Sequence, residues 1–483
     1  MSPSENSGGW LRSAFFLAQN TTSLVGVALT TSSALTILAF WFYFGILAGE
    51  PHPYLGILVF VLLPVLFVLG LLLVALGIWL HRRSLRARGE LKTEYPEINF
   101  SHPVVRRAFM IVAVLTCANF FIIGTASFKA VTFMDSTQFC GATCHSVMGP
   151  EYGAYKHSPH AHVECAACHV GPGAQGFLRA KLSGTRQLVA LTFSTYSRPI
   201  PSPVKNLIPA KETCEHCHNP QRYIGNIVLS RQAFADDEKN TRTYTALLMH
   251  VGGPAAEGPA GIHGNHLRLG GRITYIAIDE KRETIPVVTY EDAKGNSVTY
   301  TSTDVKTTPE QLAKGEHRQM DCTDCHNRPT HIFELPDAAV NDGLKTGRIS
   351  TDLPFIKKKA VELLNASYSD RDAARQAIVS GIDSYYKNSY ADVYAKKHDA
   401  VAQAGEQVAA IYLRNVYPAL KLTWGAHPSN LGHTDSPGCF RCHDGSHSTA
   451  DGQKTIPNDC ATCHDLLING EEKPKILVDA GLQ

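Results

Sequence analysis

The chain has 483 residues, of which 44% are apolar and 18% charged, so it has room for about two or three domains and is too apolar to be disordered. Its formal net charge of +2 provides neither a broad basic surface for nucleic acid nor an acidic tail. Twelve of the thirteen cysteines form six close pairs, each followed directly by histidine, which makes them the most informative residues.

Three apolar segments near the N-terminus are long enough to cross a membrane. They cover about residues 24–47, 54–80 and 108–128, and a helix needs about 20 apolar residues to span ~30 Å of hydrocarbon. The loop after the second segment carries seven Lys or Arg residues, whereas the loop after the first carries none. Because Lys and Arg are retained on the cytoplasmic side, we expect residues 1–130 to anchor the chain in a bacterial inner membrane, with a cytoplasmic N-terminus and a periplasmic remainder.

Six cysteine pairs follow the anchor, five spaced Cys-x-x-Cys-His and the first with one additional residue. Two thiols about one helical turn apart can form thioethers to the two vinyl groups of a haem, while the adjacent imidazole ligates the iron. Zinc sites and disulfides also use paired cysteines, but neither needs histidine after every pair. The spacing therefore predicts six covalently bound haems c. The expected attachment residues are Cys140, Cys144, Cys165, Cys168, Cys214, Cys217, Cys322, Cys325, Cys439, Cys442, Cys460 and Cys463. The expected proximal ligands are His145, His169, His218, His326, His443 and His464.

Each iron also needs a distal ligand, which is often a second histidine or a methionine from elsewhere in the fold. The part of the chain after the anchor contains thirteen further histidines, so the supply exceeds the demand. By position, His433 and His447 are the natural pair for the last two haems. His263 and His266 are further candidates.

Two segments without motifs interrupt this region. In a β-rich insert at about 228–306, residues 272–279, 284–290 and 297–303 are expected to form an antiparallel meander. Residues 333–420 are expected to form a helical insert, in which Ser369 or Asp370 caps the second helix. The inserts leave a four-haem region at 131–332 and a C-terminal two-haem region at 421–483.

The expected fold is therefore three N-terminal transmembrane α-helices followed by a multihaem cytochrome c domain, mainly helix and loop, with a small antiparallel β insert. Between the second and third motifs, residues 170–211 are expected to contain only loops and short helices, because haems replace much of the core.

Residues 106–332 resemble the NapC/NirT/NrfH family of membrane-anchored multihaem cytochromes c. The similarity rests on an anchor helix that is followed by DSTQFCGATCHSVM, SPHAHVECAACHVGP, CEHCH and CTDCHNRPTH. The end of the chain, with GCFRCHDGSH and CATCH, is similar to the larger ImcH-like quinol-oxidising cytochromes of the inner membrane. The resemblance implies that His160 ligates the fourth haem, that His317 and His331 ligate the second and third, and that Met148 corresponds to a methionine ligand of the first.

The resemblance further implies oxidation of menaquinol or another quinol and electron transfer to periplasmic or outer-membrane cytochromes or a reductase, in anaerobic respiration or extracellular electron transfer. Lys181 matches a family lysine at the quinol site, and Asp135 is a candidate for the acidic partner. Membrane lipid, the quinone pool and a membrane complex subunit are the expected partners. Two alternatives remain open, namely an electron-wire subunit without its own quinol site and a terminal reductase of a small oxyanion. The reductase would need one haem with an open coordination position.

Overall fold

The computed structural model describes residues 13–42, 62–92, 100–101, 103–143, 145–170, 173–204, 207–219, 225–252, 261–267, 271–292 and 294–479. The chain divides into two compact units. The first comprises Met1–Cys140 and Cys165–Arg186, and the second comprises Gly141–Glu164 and Gln187–Gln483.

Three long helices dominate the first unit: α1 (Thr21–Phe42), α2 (Leu63–Arg88) and α3 (Pro103–Asp135). Each contains a stretch that is long and apolar enough to cross a membrane, which confirms the three predicted spans. The second span continues beyond its predicted end at residue 80. Residues 43–47 and 54–61 of the predicted spans lie outside the described part of the chain.

The helices α1 and α2 approach each other closely through small residues. A Cβ atom at Gly70 would lie 2.8 Å from the carbonyl oxygen of Gly26, and one at Gly77 would lie 2.6 Å from the backbone nitrogen of Ser23. The hydroxyl of Ser23 also donates to the carbonyl of Val74 at 3.2 Å. Close backbone approach and hydroxyl hydrogen bonds are the usual means of joining helices in lipid, because burial of apolar surface gives little advantage there.

The helix α3 is longer than a membrane crossing requires. Its 33 residues extend about 50 Å at 1.5 Å per residue, whereas the hydrocarbon core is about 30 Å thick. It therefore passes the predicted end at residue 128 and continues to Asp135, shortly before the first motif. The hydroxyls of Thr31 and Thr116 join α1 to α3 by a 2.6 Å hydrogen bond.

Several shorter helices follow: α4 (His145–Tyr155), α5 (Cys165–His169), α6 (Gly173–Thr192) and α7 (Ala210–Thr213). The prediction of only loops and short helices after the second motif was wrong, because α6 is a continuous helix of 20 residues. Its sequence contains good helix formers such as Ala, Leu, Arg and Lys and lacks proline.

The second unit contains two antiparallel sheets. The strands in chain order are β1 (Ile227–Phe234), β2 (Arg242–Met249), β3 (Gly271–Ala277), β4 (Val287–Asp292), β5 (Ser297–Ser302), β6 (Glu316–Gln319), β7 (His447–Ser448) and β8 (His464–Glu471). One sheet has the order β1-β2-β8 and the other the order β6-β3-β4-β5-β7. The meander β3-β4-β5 confirms the prediction, and Gly295 with φ 87° provides the turn that joins β4 to β5.

Both sheets include strands from the end of the chain. β8 pairs with β2, and β7 pairs with β5. The predicted C-terminal two-haem region thus shares its sheets with the β insert. These long-range pairings involve β2, β7 and β8, which the sequence pattern did not identify as strands.

The remaining helices are α8 (Ile262–His266), α9 (Pro309–Lys314), α10 (Cys322–Cys325), α11 (Pro336–Lys345), α12 (Ile356–Leu364), α13 (Arg371–Ser389), α14 (Ala391–Lys396), α15 (His398–Asn415) and α16 (Lys475–Asp479). Helices α11 to α15 form the main apolar core of the second unit. The predicted cap is confirmed at Asp370, whose carboxylate accepts the N–H of Ala373 at 2.8 Å. One face of α15 is buried in this core, as shown by Val401 and Val408.

Candidate haem sites

The five regular motifs lie on short helical turns. In the third, fourth and fifth motifs, the N–H of the histidine donates to the carbonyl of the first cysteine at 2.8, 2.8 and 3.1 Å. Each bond closes one turn and brings both cysteines and the histidine to adjoining positions. Aspartates fix two of these turns: Asp321 accepts the N–H of Thr323 at 2.8 Å before the fourth motif, and Asp459 accepts that of Ala461 at 3.3 Å before the sixth.

The longer first motif has a different local structure. Residues Phe139–Thr143 form a π-helical turn that contains Cys140 and the residues between the two cysteines. A π turn accommodates one more residue than an α turn, and one additional residue is what separates this motif from the other five. Cys144 lies outside the described residues. So do the side chains of Asp135, His145 and Lys181, whose backbones belong to α3, α4 and α6.

Four of the motif histidines lie beside a second histidine. The ring centroids are separated by 5.9 Å for His160 and His218, 6.3 Å for His263 and His326, 5.8 Å for His266 and His443, and 6.3 Å for His433 and His464. A metal–imidazole bond is about 2.0 Å long and the ring centroid lies about 1.1 Å behind its nitrogen, so two axial imidazoles on one iron have centroids about 6.2 Å apart. The centroid separation of each pair thus matches that of two imidazoles with one iron between them.

Hydrogen bonds fix the tautomer of three of these rings. The Nδ1 of His160 bonds the carbonyl of Pro329 at 3.1 Å, that of His266 bonds Ile262 at 2.7 Å, and that of His443 bonds Pro457 at 2.6 Å. A carbonyl only accepts, so each Nδ1 carries the proton and each Nε2 keeps its lone pair. This second hydrogen bond is typical of histidines that ligate metals through Nε2.

Burial also favours the neutral, ligating form of several rings. It lowers the pKa of His263, His266 and His326 below the usual value, and neighbouring histidines add to the effect. The pKa of His169, in the second motif, is lowered by burial as well. A neutral imidazole keeps a lone pair for iron, so the electrostatic environment agrees with the geometry.

The other predicted distal ligands lie in different settings. His317 is exposed on β6, and His331 donates from Nδ1 to the carbonyl of Glu151 at 3.0 Å, which places the lone pair on Nε2. Met148 lies on α4, three residues after the histidine of the first motif. Their roles stay predictions.

The structure does not support His447 as a distal ligand. It is buried, its Nδ1 bonds a carboxylate oxygen of Asp444 at 2.9 Å, and its Nε2 bonds the carbonyl of Ile285 at 2.8 Å. Both ring nitrogens are thus engaged with protein oxygens, so His447 holds β7 in place and presents no free ring nitrogen to a haem. The resemblance assigned His160 to the fourth haem, whereas its ring lies beside His218 of the third motif. We therefore propose His160 for the third haem.

The cysteines of the fourth and fifth motifs are half-buried thiols that no disulfide joins. Burial raises the pKa of Cys322 to about 11 and those of Cys325 and Cys442 to about 12, so these thiols stay uncharged at neutral pH. A thioether is uncharged too, so it suits the same partly buried positions. Within the described ranges, no group of three or more His, Cys, Asp or Glu side chains is arranged to hold a single metal ion.

Comparisons with known proteins identify the family of the chain. The N-terminal region of the NapC/NirT cytochrome c family matches residues 103–199, which begin at the first residue of α3. The cytochrome c-type protein ImcH of Geobacter sulfurreducens is 40% identical over 465 residues, covering 94% of this chain and 90% of that protein. The chain belongs to the NapC/NirT family of membrane cytochromes c and is ImcH-like.

A second relative of this NapC/NirT-family cytochrome is the cytochrome c-type protein NrfH of Wolinella succinogenes, 30% identical over 93 residues, or 19% of this chain and 52% of that protein. No solved structure is significantly similar to the chain. Membership of the family means that the cytochrome carries covalently bound haem c, is anchored in a membrane and takes part in electron transport.

A buried ionic network holds the fourth motif of the cytochrome, and sequence patterns gave no sign of it. The carboxylate of Asp324, between the two cysteines, accepts the Tyr275 hydroxyl at 2.5 Å and the Nε of Arg318 at 2.6 Å. The fifth motif joins the network, because Arg441, between its own two cysteines, donates to the backbone carbonyl of Asp324 at 2.6 Å. The residues inside the two motifs thus bind each other.

Arg328, two residues after the histidine of the fourth motif, suits an anionic group of a haem. Burial lowers the pKa of Arg328 to about 10, and Glu151 opposes that shift. Its buried Nε has no hydrogen-bond partner within the described part of the chain. Haem propionates are carboxylates, which guanidinium groups bind well. The residues around the fourth motif therefore offer both imidazoles for a haem iron and a positive charge for a haem propionate.

Proposed function

We propose that this cytochrome oxidises a membrane quinol, such as menaquinol, and passes the electrons through six covalently bound haems c to a periplasmic or outer-membrane acceptor. The observation that carries the proposal is the set of four histidine pairs at haem spacing in a chain with a membrane anchor. Bound haems supply one-electron exchange between the ferric and ferrous states.

The paired histidines favour electron transfer over reduction of a small molecule. Two imidazoles on one iron fill both axial positions, whereas a reductase of a small oxyanion needs one axial position free for its substrate. The histidine pairs at the third to sixth motifs therefore favour electron transfer, rather than substrate reduction, at these four sites.

Quinol oxidation needs groups that accept two protons while two electrons leave, and these must lie near the membrane. Asp135 at the end of α3 is our candidate for the proton acceptor, and Lys181 on α6 is our candidate for a hydrogen-bond donor to the quinol oxygen. Asp135 is the last residue of α3 and lies seven residues beyond the predicted end of the third span, so we place it at the membrane edge on the side of the haem motifs. The Lys181 ammonium would donate a hydrogen bond to a quinol oxygen, and the Asp135 carboxylate would accept the two hydroxyl protons one after the other and release each to water.

The proposed topology follows the charge distribution of the loops, with the N-terminus in the cytoplasm and residues after about 130 in the periplasm. Electrons would then travel outward from the inner membrane. The expected partners are lipid, the quinone pool and periplasmic or outer-membrane cytochromes or a reductase. A further membrane subunit could dock on the anchor.

The test uses purified full-length holoprotein in detergent. Intact mass should show six haems, and a menaquinol analogue should reduce them under anaerobic conditions. Lys181→Met should abolish reduction by the quinol but not by dithionite, while Lys358→Met, at an exposed position of α12, should change neither. Wild-type protein that dithionite reduces and quinol does not would instead be an electron-wire subunit, and a haem count below six would refute the six-haem proposal.

A further inference from the structure

The helix α8 is a single turn that carries two histidines three residues apart, His263 and His266. Residues at this spacing are neighbours on one helix surface. Nevertheless their rings accompany different motifs, since His263 lies 6.3 Å from His326 of the fourth motif and His266 lies 5.8 Å from His443 of the fifth. One helical turn thus contacts two haem-attachment motifs.

The position of α8 is fixed by the backbone that follows β2. The N–H of Ile262 donates to the carbonyl of His250 at 2.8 Å, and that of His263 donates to Val251 at 2.9 Å. There is no room for a side chain at Gly261, because its Cβ would lie 2.4 Å from the carbonyl oxygen of His250. His250 in turn donates its N–H to the carbonyl of Cys463, in the sixth motif, at 2.9 Å. The helix is therefore held rigidly among the last three motifs.

The fourth and fifth motifs also bind each other without α8. The guanidinium of Arg441 reaches across to the carbonyl of Asp324, and another of its nitrogens donates to Arg282 at 2.9 Å. The side chain of Arg441 is buried, so this contact excludes water. Two independent contacts, through α8 and through Arg441, keep the two motifs side by side.

We propose that α8 supplies the distal ligands of two haems at once, His263 to the haem of the fourth motif and His266 to the haem of the fifth. The turn makes these haems direct neighbours and connects the NapC/NirT-like region to the C-terminal haems. This inference rests on the proposed function, because it requires haem at both motifs. It also supplies the distal ligand that His447 cannot provide.

The test replaces each histidine separately and together, in full-length holoprotein. His263→Ala and His266→Ala should each create one additional high-spin haem and bind one more carbon monoxide per reduced molecule than wild type, and the double variant should bind two more. His398→Ala is the matched control, because its side chain is 59% exposed, and it should match wild type. A variant that retains all its haems yet stays fully low-spin and binds no additional carbon monoxide would overturn the proposal.

A second variant guards against misfolding. His266→Met retains a ligand and should keep six-coordinate iron, while the midpoint potential of one haem rises because methionine ligation favours the ferrous state. A redox titration in which all potentials match wild type would also count against the inference. Intact mass of the wild-type protein distinguishes failure of the proposed function from failure of the ligand assignment. If the fourth or fifth motif carried no haem, the proposed function itself would be contradicted. If both carried haem and the variants stayed low-spin, only the ligand assignment would be.

Discussion

Replacement of Arg441 by methionine should strongly destabilise the second unit. The guanidinium of Arg441 donates to the carbonyls of Gly438, Arg282 and Asp324 at 2.8, 2.9 and 2.6 Å, and only 7% of the residue is exposed. A hydrogen bond from a charged group contributes about 1.5–3 kcal/mol net. The three together would give more than about 4.5 kcal/mol, but methionine also removes the cost of burying a charge. We therefore expect a loss of about 3–5 kcal/mol.

Thermal unfolding of the purified holoprotein, followed by circular dichroism of the haem bands, measures this loss. One kcal/mol corresponds to about 2–4 °C for domains of this size, so the midpoint should fall by on the order of 10 °C. Arg375→Met is the matched control, because Arg375 pairs with Glu406 at the surface, with side chains 52% and 49% exposed, and such pairs contribute about 0–1 kcal/mol. If the two variants unfold within about 2 °C of each other, the reasoning about Arg441 is refuted.

Two further predictions concern a buried histidine and the packing of the anchor. Burial and nearby positive charge lower the pKa of His427 from 6.5 to about 4. Between these pH values the unfolded chain binds a proton at this histidine that the folded chain does not bind. The free energy of unfolding should therefore fall by up to about 3 kcal/mol as the pH drops through this window. Urea midpoints at pH 6.5 and 4.5 test this, and His427→Gln should weaken the dependence; an unchanged pH dependence would contradict the assignment. Gly70→Leu should lower the thermal midpoint of the detergent-solubilised protein, because a Cβ there would meet the Thr30 hydroxyl and the Gly26 carbonyl. Gly124→Leu, at an open position, should have little effect, and equal losses would contradict close packing of α1 and α2.

Features that depend on neighbouring residues in the sequence were predicted well. The three membrane spans, the meander around Gly295 and the cap at Asp370 each follow from apolar length, turn chemistry or one side-chain hydrogen bond. The proposed proximal ligands have the same local basis, because cysteine and histidine at fixed spacing bring a thioether and an imidazole to one haem.

Features that depend on distant parts of the chain were harder to predict. Any histidine can serve as a distal ligand if folding brings it to the iron, so position along the chain favoured His447, whose ring is hydrogen-bonded at both nitrogens. Position along the chain gave little weight to His263 and His266, whose rings lie beside the histidines of the fourth and fifth motifs. The network around Asp324 was equally invisible, because its partners are scattered along the chain.

The last strand gives the second unit a late step in its assembly. His464 is both the final residue of the sixth motif and the first residue of β8, where it pairs with Met249 of β2. Until the C-terminal end has emerged, the edge of β2 stays open, and an open strand edge is a site for aggregation. With haem attached at the sixth motif as proposed, its loading and the closure of the sheet involve the same residue. A nascent chain that stalls before this point would leave an incomplete sheet exposed to proteases and chaperones.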